Sequence, residues 1–226
     1  MPFTQGVDLQ AGGFRTTGGE VGDLLVSLKR LIYQGDSLAI ASGLGLTVPV
    51  GSGVHVFNNN IRLEIENDAL HIHPYIALTT ISRDRWFYHG FLQLDVPMNG
   101  NDVFATVGGN TQQLVFDEIP LVHVDVSAGF WLFRSPGCLC GTCQTGYEVA
   151  AVAELHYTSS FQDQSTLMFQ LGELRADQFS VLNVTFGLHT ELGSGTVLRL
   201  GSVFPLGTGT TRLFDAEFQA TLTQRF

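Results

Sequence analysis

The sequence predicts an all-β protein and, within that class, an antiparallel up-and-down transmembrane β-barrel of about ten strands. Three observations predict it. Apolar and polar residues alternate with a period of two in nearly every segment between turn signals. These segments are mostly about 10 to 15 residues long, whereas globular strands run about 5 to 6 and a membrane strand needs about 9 to 11. The apolar runs end after roughly a dozen residues, too few for a membrane helix of about 20.

Composition supports strands and excludes some partners. Among 226 residues there are 26 Gly and 17 Phe, a mixture that favours strands and tight turns. The formal charge of -10 argues against a nucleic-acid partner, because few cations are available to neutralise phosphates. The start, MPFTQGVDLQAGG, lacks the basic and apolar regions of a secretory signal. We expect an irregular N-terminal segment at 1–18 and a single barrel domain at 19–226.

Nine long alternating segments and one weaker candidate account for the expected strands. Their bounds, in chain order, are 24–33, 38–50, 61–66 (the weaker one), 70–78, 86–96, 122–132, 147–157, 182–191, 197–206 and 214–226. The turn Gly35-Asp36 joins the first two, and a Gly-Ser-Gly turn at 193–195 joins two later ones. Single-chain bacterial barrels have an even number of strands, so either 61–66 is the tenth or one is missing. We expect the first and last strands to hydrogen-bond and close the sheet.

The last segment shows the alternation best. Phe214, Ala216, Phe218, Ala220, Leu222 and Phe226 share one face, and acidic or polar residues fill the other. An aromatic C-terminal residue in phase with the apolar face is common in outer-membrane barrels, whose assembly machinery reads that strand. Two polar segments, 99–118 and 159–178, resemble long extracellular loops, while several other connections are short.

The polar faces supply the candidate lumen-lining residues. They are His71, His73, His89, Gln93, Asp95, His123, Asp125, Glu148, Glu154, His156, Asn183, His189, Asp215 and Glu217. Acids outnumber the nearby bases, mainly Lys29, Arg199 and Arg225, so an open channel would favour cations or neutral solutes. With eight to ten strands the interior is mostly filled by side chains or holds one small ligand. The expected girdle residues at the membrane interfaces are Trp86, Tyr147, Tyr157 and Phe226.

Two patterns raise the question of a metal. The pair His71 and His73 places two imidazoles on one strand face, and Cys138, Cys140 and Cys143 form C-L-C-G-T-C. No fourth cysteine is present, and a local disulfide with one free thiol is an equal alternative. We expect no metal and no cofactor.

Several segments resemble a known family. GEVGDLLVSLKRLIYQGDSLAIASGLGLTVPVGSG (19–53) is similar to the strand-turn-strand of bacterial outer-membrane barrels of the phenol-degradation-pathway type, distant relatives of the long-chain fatty-acid transporters. NDALHIHPYIAL, VDVSAGFWLFRSPG and VFPLGTGTTRLFDAEFQATLTQRF resemble planctomycete outer-membrane proteins of that type. The resemblance implies an outer-membrane location, a bilayer partner and uptake of small hydrophobic or weakly polar compounds. It also implies a signal peptide and further N-terminal strands in a longer parent, both absent here.

Three alternatives remain open beside a channel or transporter. The first is a structural or surface-interaction barrel without transport, and the second is a soluble β-sandwich or lipocalin-like binding protein, whose strands alternate in the same way. The third is a barrel enzyme acting on lipids, for which Ser127, His123 and Asp125 share one strand face. Residues two apart on a strand project in parallel, which argues against a triad, so we expect no enzyme.

Overall fold

The segments in which apolar and polar residues alternate form β-strands. The computed structural model describes residues 3–4, 10–11, 14–15, 20–58, 61–80, 85–135, 146–161, 164–169, 172–177, 180–193, 195–207 and 214–224. In chain order its strands are β1 (Phe3–Thr4), β2 (Gln10–Ala11), β3 (Phe14–Arg15), β4 (Glu20–Val21), β5 (Leu24–Gln34), β6 (Leu38–Val48), β7 (Val54–Asn58), β8 (Ile61–Ile65), β9 (His71–Thr80), β10 (Trp86–Pro97), β11 (Asn101–Val107), β12 (Asn110–Phe116), β13 (Leu121–Arg134), β14 (Tyr147–Ser160), β15 (Gln164–Phe169), β16 (Gly172–Asp177), β17 (Ser180–Leu192), β18 (Thr196–Pro205) and β19 (Glu217–Gln224). In this part of the chain, no helix is long and apolar enough to cross a membrane.

Nine of these strands form the main sheet. Their order is β19-β18-β17-β14-β13-β10-β9-β6-β5, and every neighbouring pair is antiparallel. The prediction of an all-β antiparallel meander is therefore confirmed. The expected closure is not found: in the described residues β5 and β19 are the two edges of an open sheet. All side chains of both edge strands are exposed.

The two faces of the main sheet have opposite chemistry, because the register keeps like residues in line across the strands. Leu92 on β10 lies opposite Ile76 of β9 and Val124 of β13. The next residue, Gln93, lies opposite Tyr75 and His123 on the other face. A shift of one residue in any pair would mix the faces.

The apolar face is exposed rather than packed against another layer. Phe218 is 85% exposed, Phe186 56% and Leu92 43%. Among the described residues the buried apolar side chains are all Ala or Val, namely Ala41, Ala69, Val103, Ala105, Ala150, Val197 and Val203. A soluble domain of this size buries most of its large apolar side chains. The described chain therefore lacks the dry centre that a β-sandwich requires.

The polar face is concave. The rings of Phe87 on β10 and His189 on β17 have centroids 6.4 Å apart, although two strands separate them. Three strand spacings in a flat sheet would span about 14 Å. The sheet is therefore strongly curved around its polar side, and we call its two faces the concave polar face and the convex apolar face.

A second, smaller sheet is formed by strands that precede the main sheet or lie in the chain between its strands. Its order is β12-β11-β8-β7-β3-β2. Ile61–Ile65 belongs to it, so the interpretation of 61–66 as a tenth barrel strand is wrong: β8 pairs with β7 and β11 instead. Segment 99–118 is not irregular but holds the β11–β12 hairpin, and β15–β16 is a hairpin within 159–178. These shorter strands also alternate, but within the residues described they pair with one another and not with the main sheet.

The hairpins all extend from one end of the main sheet. The β7–β8, β11–β12 and β15–β16 hairpins follow β6, β10 and β14, which run in the same direction. We call this the hairpin end and the opposite end the turn end, where 35–37 joins β5 to β6 and 193–195 joins β17 to β18. The buried side chain of Asn101 fixes β11 at the hairpin end by accepting hydrogen bonds from the backbone N–H groups of Asp68 and Ala69, each 2.9 Å.

Candidate functional site

The register places nearly all the predicted lumen residues on the concave polar face. They are His71, His73, His89, Gln93, Asp95, His123, Asp125, Glu148, Glu154, His156, Asn183, His189 and Glu217. Asp215 is the exception, because it precedes the first residue of β19. The concave face arranges these residues in three groups along the strand direction.

The first group lies at the hairpin end. Nδ1 of His71 is 2.6 Å from Oδ1 of Asp95, and its Nε2 is 3.2 Å from Oε2 of Glu118. His73 stacks on His71 with a centroid distance of 6.0 Å and bonds the Thr47 hydroxyl through Nε2 at 2.7 Å. These contacts join β6, β9 and β10 to the segment that follows the β11–β12 hairpin. His71 therefore connects the main sheet to the segment between β12 and β13, whereas His73, among the described residues, contacts only residues of the main sheet.

The second group lies in the middle of the concave face. His156 on β14 stands between two carboxylates, with Nδ1 3.0 Å from Oδ1 of Asp125 and Nε2 3.5 Å from Oε2 of Glu154. Its Nε2 is also 3.1 Å from the hydroxyl of the buried Thr185. The imidazole thus links β13, β14 and β17, and it separates two negative charges that would otherwise repel each other.

The third group lies toward the turn end and combines charges with aromatic rings. Nε of Arg199 donates to Nδ1 of His189 at 3.1 Å, and Nε2 of His189 is 3.2 Å from Oε1 of Glu191. Rings of Phe87 and Trp131 lie 5.3 Å apart, and both contact the His189 ring. These rings occupy space that a smooth channel would leave open.

A second ion pair lies beyond these rings. Glu148 is buried beside Arg134 at 3.4 Å, and the Arg134 guanidinium lies 4.8 Å above the Trp131 ring. The charge of Glu148 is thus balanced by Arg134 at the concave polar face.

A pocket of about 370 Å³ opens between the second and third groups. Its floor is a row of small residues, because Gly187 of β17 lies directly opposite Gly201 of β18 and next to Val152 of β14. Its walls carry Asp125, Glu154 and His156 on one side and His189 and Arg199 on the other, with Phe87 and Phe91 at one flank. The volume is in the range of small-molecule sites.

Sequence reasoning missed several residues of this site. Phe87, Phe91 and Trp131 face the concave side by parity, yet none of them is among the predicted lumen-lining residues. Glu118 and Thr47 were not predicted as partners of the histidines. Strict period-two parity from His89 would have placed Phe87 and Phe91 correctly, whereas the partner of His71 depends on the second sheet.

The concave face does not assemble the Ser127, His123 and Asp125 arrangement. His123 bonds the Thr158 hydroxyl at 3.0 Å and Asp125 bonds His156, so each contacts a different residue of β14. In the described part of the chain, no three His, Cys, Asp or Glu side chains are arranged to hold a metal ion. Cys138, Cys140 and Cys143 lie outside the described residues.

Aromatic residues lie near the strand ends of the convex apolar face. Trp86 and Tyr147 are about half exposed at the turn end, and Tyr157 is exposed near the hairpin end. Trp86 packs on Phe130 at 5.0 Å, and Tyr147 stacks on Phe133 at 4.7 Å. Phe226 lies outside the described residues. The three described aromatics thus lie exposed near the strand ends of the convex apolar face.

No protein-family model matches the chain, and no curated protein and no solved structure matches it either. The candidate site therefore rests on the geometry of this chain alone.

Proposed function

We propose that this chain forms the wall of an outer-membrane β-barrel that admits small solutes. The convex apolar face contacts the hydrocarbon of the bilayer, and the concave polar face surrounds a hydrated interior. The observation that carries the proposal is the exposure of the large apolar side chains on one face of a curved sheet whose other face holds the charges. In water such a face would promote aggregation, whereas in lipid it is stabilised.

Strand length and the aromatic rims support the same proposal. The strands from β9 to β18 in the main sheet have 10 to 14 residues, enough to cross the hydrocarbon at a tilt. Trp86 and Tyr147 near one end and Tyr157 near the other suit the two interfaces. Extended hairpins at one end and turns at the other correspond to the outer and periplasmic sides of such barrels. A lipocalin-like protein would carry its apolar side chains on the concave face instead.

A barrel of about ten strands has a narrow interior, which limits what passes. Rings of Phe87, Trp131 and His189 contact one another across four strands of the concave face. Small hydrophobic or weakly polar compounds and cations are therefore the proposed solutes, and wide diffusion is not expected. A structural barrel without transport is the second candidate, favoured by these same ring contacts.

Two measurements test the proposal. The full chain, folded from urea into detergent, is compared on gels with and without boiling, and it is then reconstituted into vesicles and washed with alkaline carbonate. We expect faster migration of the unboiled protein and retention in the vesicles. Solute flux into the same vesicles then separates transport from a structural wall. A chain that stays monomeric and folded in buffer without detergent would refute the membrane location.

A further inference from the structure

The pocket on the concave polar face has charges of both signs on its opposite sides. Arg199 lies on β18 two residues before Gly201, on one side of the glycine floor, and Glu154 lies on β14 two residues after Val152, on the other. Asp125 follows beyond Glu154, where it pairs in register with His156. Three imidazoles, those of His89, His156 and His189, complete the titratable groups that line the pocket.

Each charged wall retains unused hydrogen-bonding capacity. Arg199 donates its Nε to His189, and among the described residues no carboxylate lies within the 4.0 Å ion-pair distance of its guanidinium. Its two terminal nitrogens therefore remain available. On the opposite wall, Asp125 and Glu154 each use one oxygen for His156, which leaves the second oxygen of each carboxylate as an acceptor.

The floor and the flank define the rest of the ligand. The pair Gly187 and Gly201 leaves room between the charged walls, and a side chain at 201 would enter the pocket itself. Phe87 and Phe91 offer apolar surface beside this floor. A ligand that pairs with both walls carries a positive and a negative group, together with an apolar part that fits within about 370 Å³.

We propose that this pocket binds a small zwitterion with an apolar side group, of the amino-acid type. Its carboxylate pairs with the planar fork of Arg199, and its ammonium group donates to Glu154 and Asp125. An anion without the ammonium group leaves the second oxygens of Asp125 and Glu154 without a donor, and a cation without the carboxylate leaves the terminal nitrogens of Arg199 without an acceptor. The pocket therefore discriminates by the dipole of the ligand rather than by net charge. This site does not depend on a membrane location.

Direct binding to the full chain tests the proposal with three matched probes. They are L-phenylalanine, which carries both charges, 3-phenylpropionate, which lacks the ammonium group, and 2-phenylethylamine, which lacks the carboxylate. Affinity is measured by calorimetry and by the fluorescence of Trp131 in the Trp86→Phe variant, since these are the two tryptophans of the chain. We expect phenylalanine to bind about tenfold or more tightly than either analogue.

Variants separate the two walls. Arg199→Gln lowers the affinity for phenylalanine about tenfold and leaves the affinity for 2-phenylethylamine equal or higher. Glu154→Gln also lowers the affinity for phenylalanine about tenfold, and it leaves the affinity for 3-phenylpropionate equal or higher. Gly201→Leu blocks all three probes. Its Cβ meets Thr185 Cγ2 at 3.1 Å and the carbonyl oxygen of Phe186 at 3.7 Å, and the remaining side-chain atoms fill the pocket. Lys29→Gln is the control, since Lys29 lies on the concave side of the edge strand β5, away from the pocket.

Defined results overturn the proposal. They are equal or tighter binding of either monofunctional analogue, no binding of phenylalanine at millimolar concentration, and equal effects of Lys29→Gln and Arg199→Gln. Circular dichroism of each variant shows whether it folds. If Arg199→Gln does not fold, Gly201→Leu tests the pocket instead. Absent binding with a normal heat-dependent gel shift refutes only this site. Retained binding by a chain that fails to enter vesicles refutes only the membrane location.

Discussion

A single arginine on the convex apolar face measures whether that face lies in hydrocarbon. Phe186 occupies the middle of the 13-residue strand β17 and is 56% exposed. If the surroundings are water, Phe186→Arg changes the free energy of unfolding by no more than about 0.5 kcal/mol. If the residue faces the centre of a bilayer, the same change destabilises by about 2 to 4 kcal/mol.

The strand supplies its own depth scale. Leu192 ends β17 six residues after Phe186, about 20 Å further along the strand at 3.4 Å per residue. With a tilt of about 40°, this is about 15 Å along the membrane normal, beyond half of an apolar band about 25 Å tall. Leu192→Arg should therefore cost about 0 to 1 kcal/mol. Its register partner is Tyr147, one of the residues expected at a membrane interface.

Urea unfolding of the chain reconstituted in vesicles gives these free energies. Phe186→Leu controls for lost aromatic packing, and Gln219→Arg places the same charge on the concave polar face, where we expect less than about 1 kcal/mol. A cost at Phe186 no larger than that at Leu192 or Gln219 would show that lipid does not contact the convex face.

Three further changes test contacts within the main sheet and between it and the second sheet, each by urea unfolding. Gly129→Val should destabilise by about 1 to 3 kcal/mol, because a Cβ at 129 would lie 2.0 Å from the ring of Phe87; a neutral result would contradict the close contact. Asn101→Ala removes the acceptor of the buried N–H group of Ala69 and the partly buried N–H group of Asp68, and it should cost about 1 to 3 kcal/mol, whereas Asn110→Ala at the exposed hairpin should cost little. His156→Gln removes the group that bridges Asp125 and Glu154 and should destabilise by about 1 to 3 kcal/mol; an unchanged free energy of unfolding would contradict the bridging role.

The faces of the main sheet could be predicted because side-chain direction along a strand is fixed by parity. On β14 the alternation of Tyr147 and Tyr157 with Glu148 and His156 is enough to assign both faces, and the pairing confirms it. No partner needs to be known for such an assignment. It is a local property of the chain.

The contacts between strands could not be predicted in the same way. The bond from His71 to Glu118 joins residues that are distant in sequence, and it exists only because β8 pairs with β11 rather than with the main sheet. Pairing of short strands is decided by long-range packing, such as the burial of Val103 and Asn101, and not by local alternation. For the same reason, the alternation gave no indication of whether the sheet closes.

The direction of the two edge strands determines how the sheet could be completed. β5 and β19 are the ninth and first strands of an antiparallel series, so they run the same way. Direct union of the two would create a parallel seam, and two copies sharing one membrane orientation would form two such seams. A fully antiparallel wall requires an odd number of additional strands between β19 and β5. In the open sheet formed by the described residues, the outward N–H and C=O groups of β5 and β19 have no strand to pair with. In hydrocarbon, each such group without a hydrogen-bond partner costs several kcal/mol of free energy.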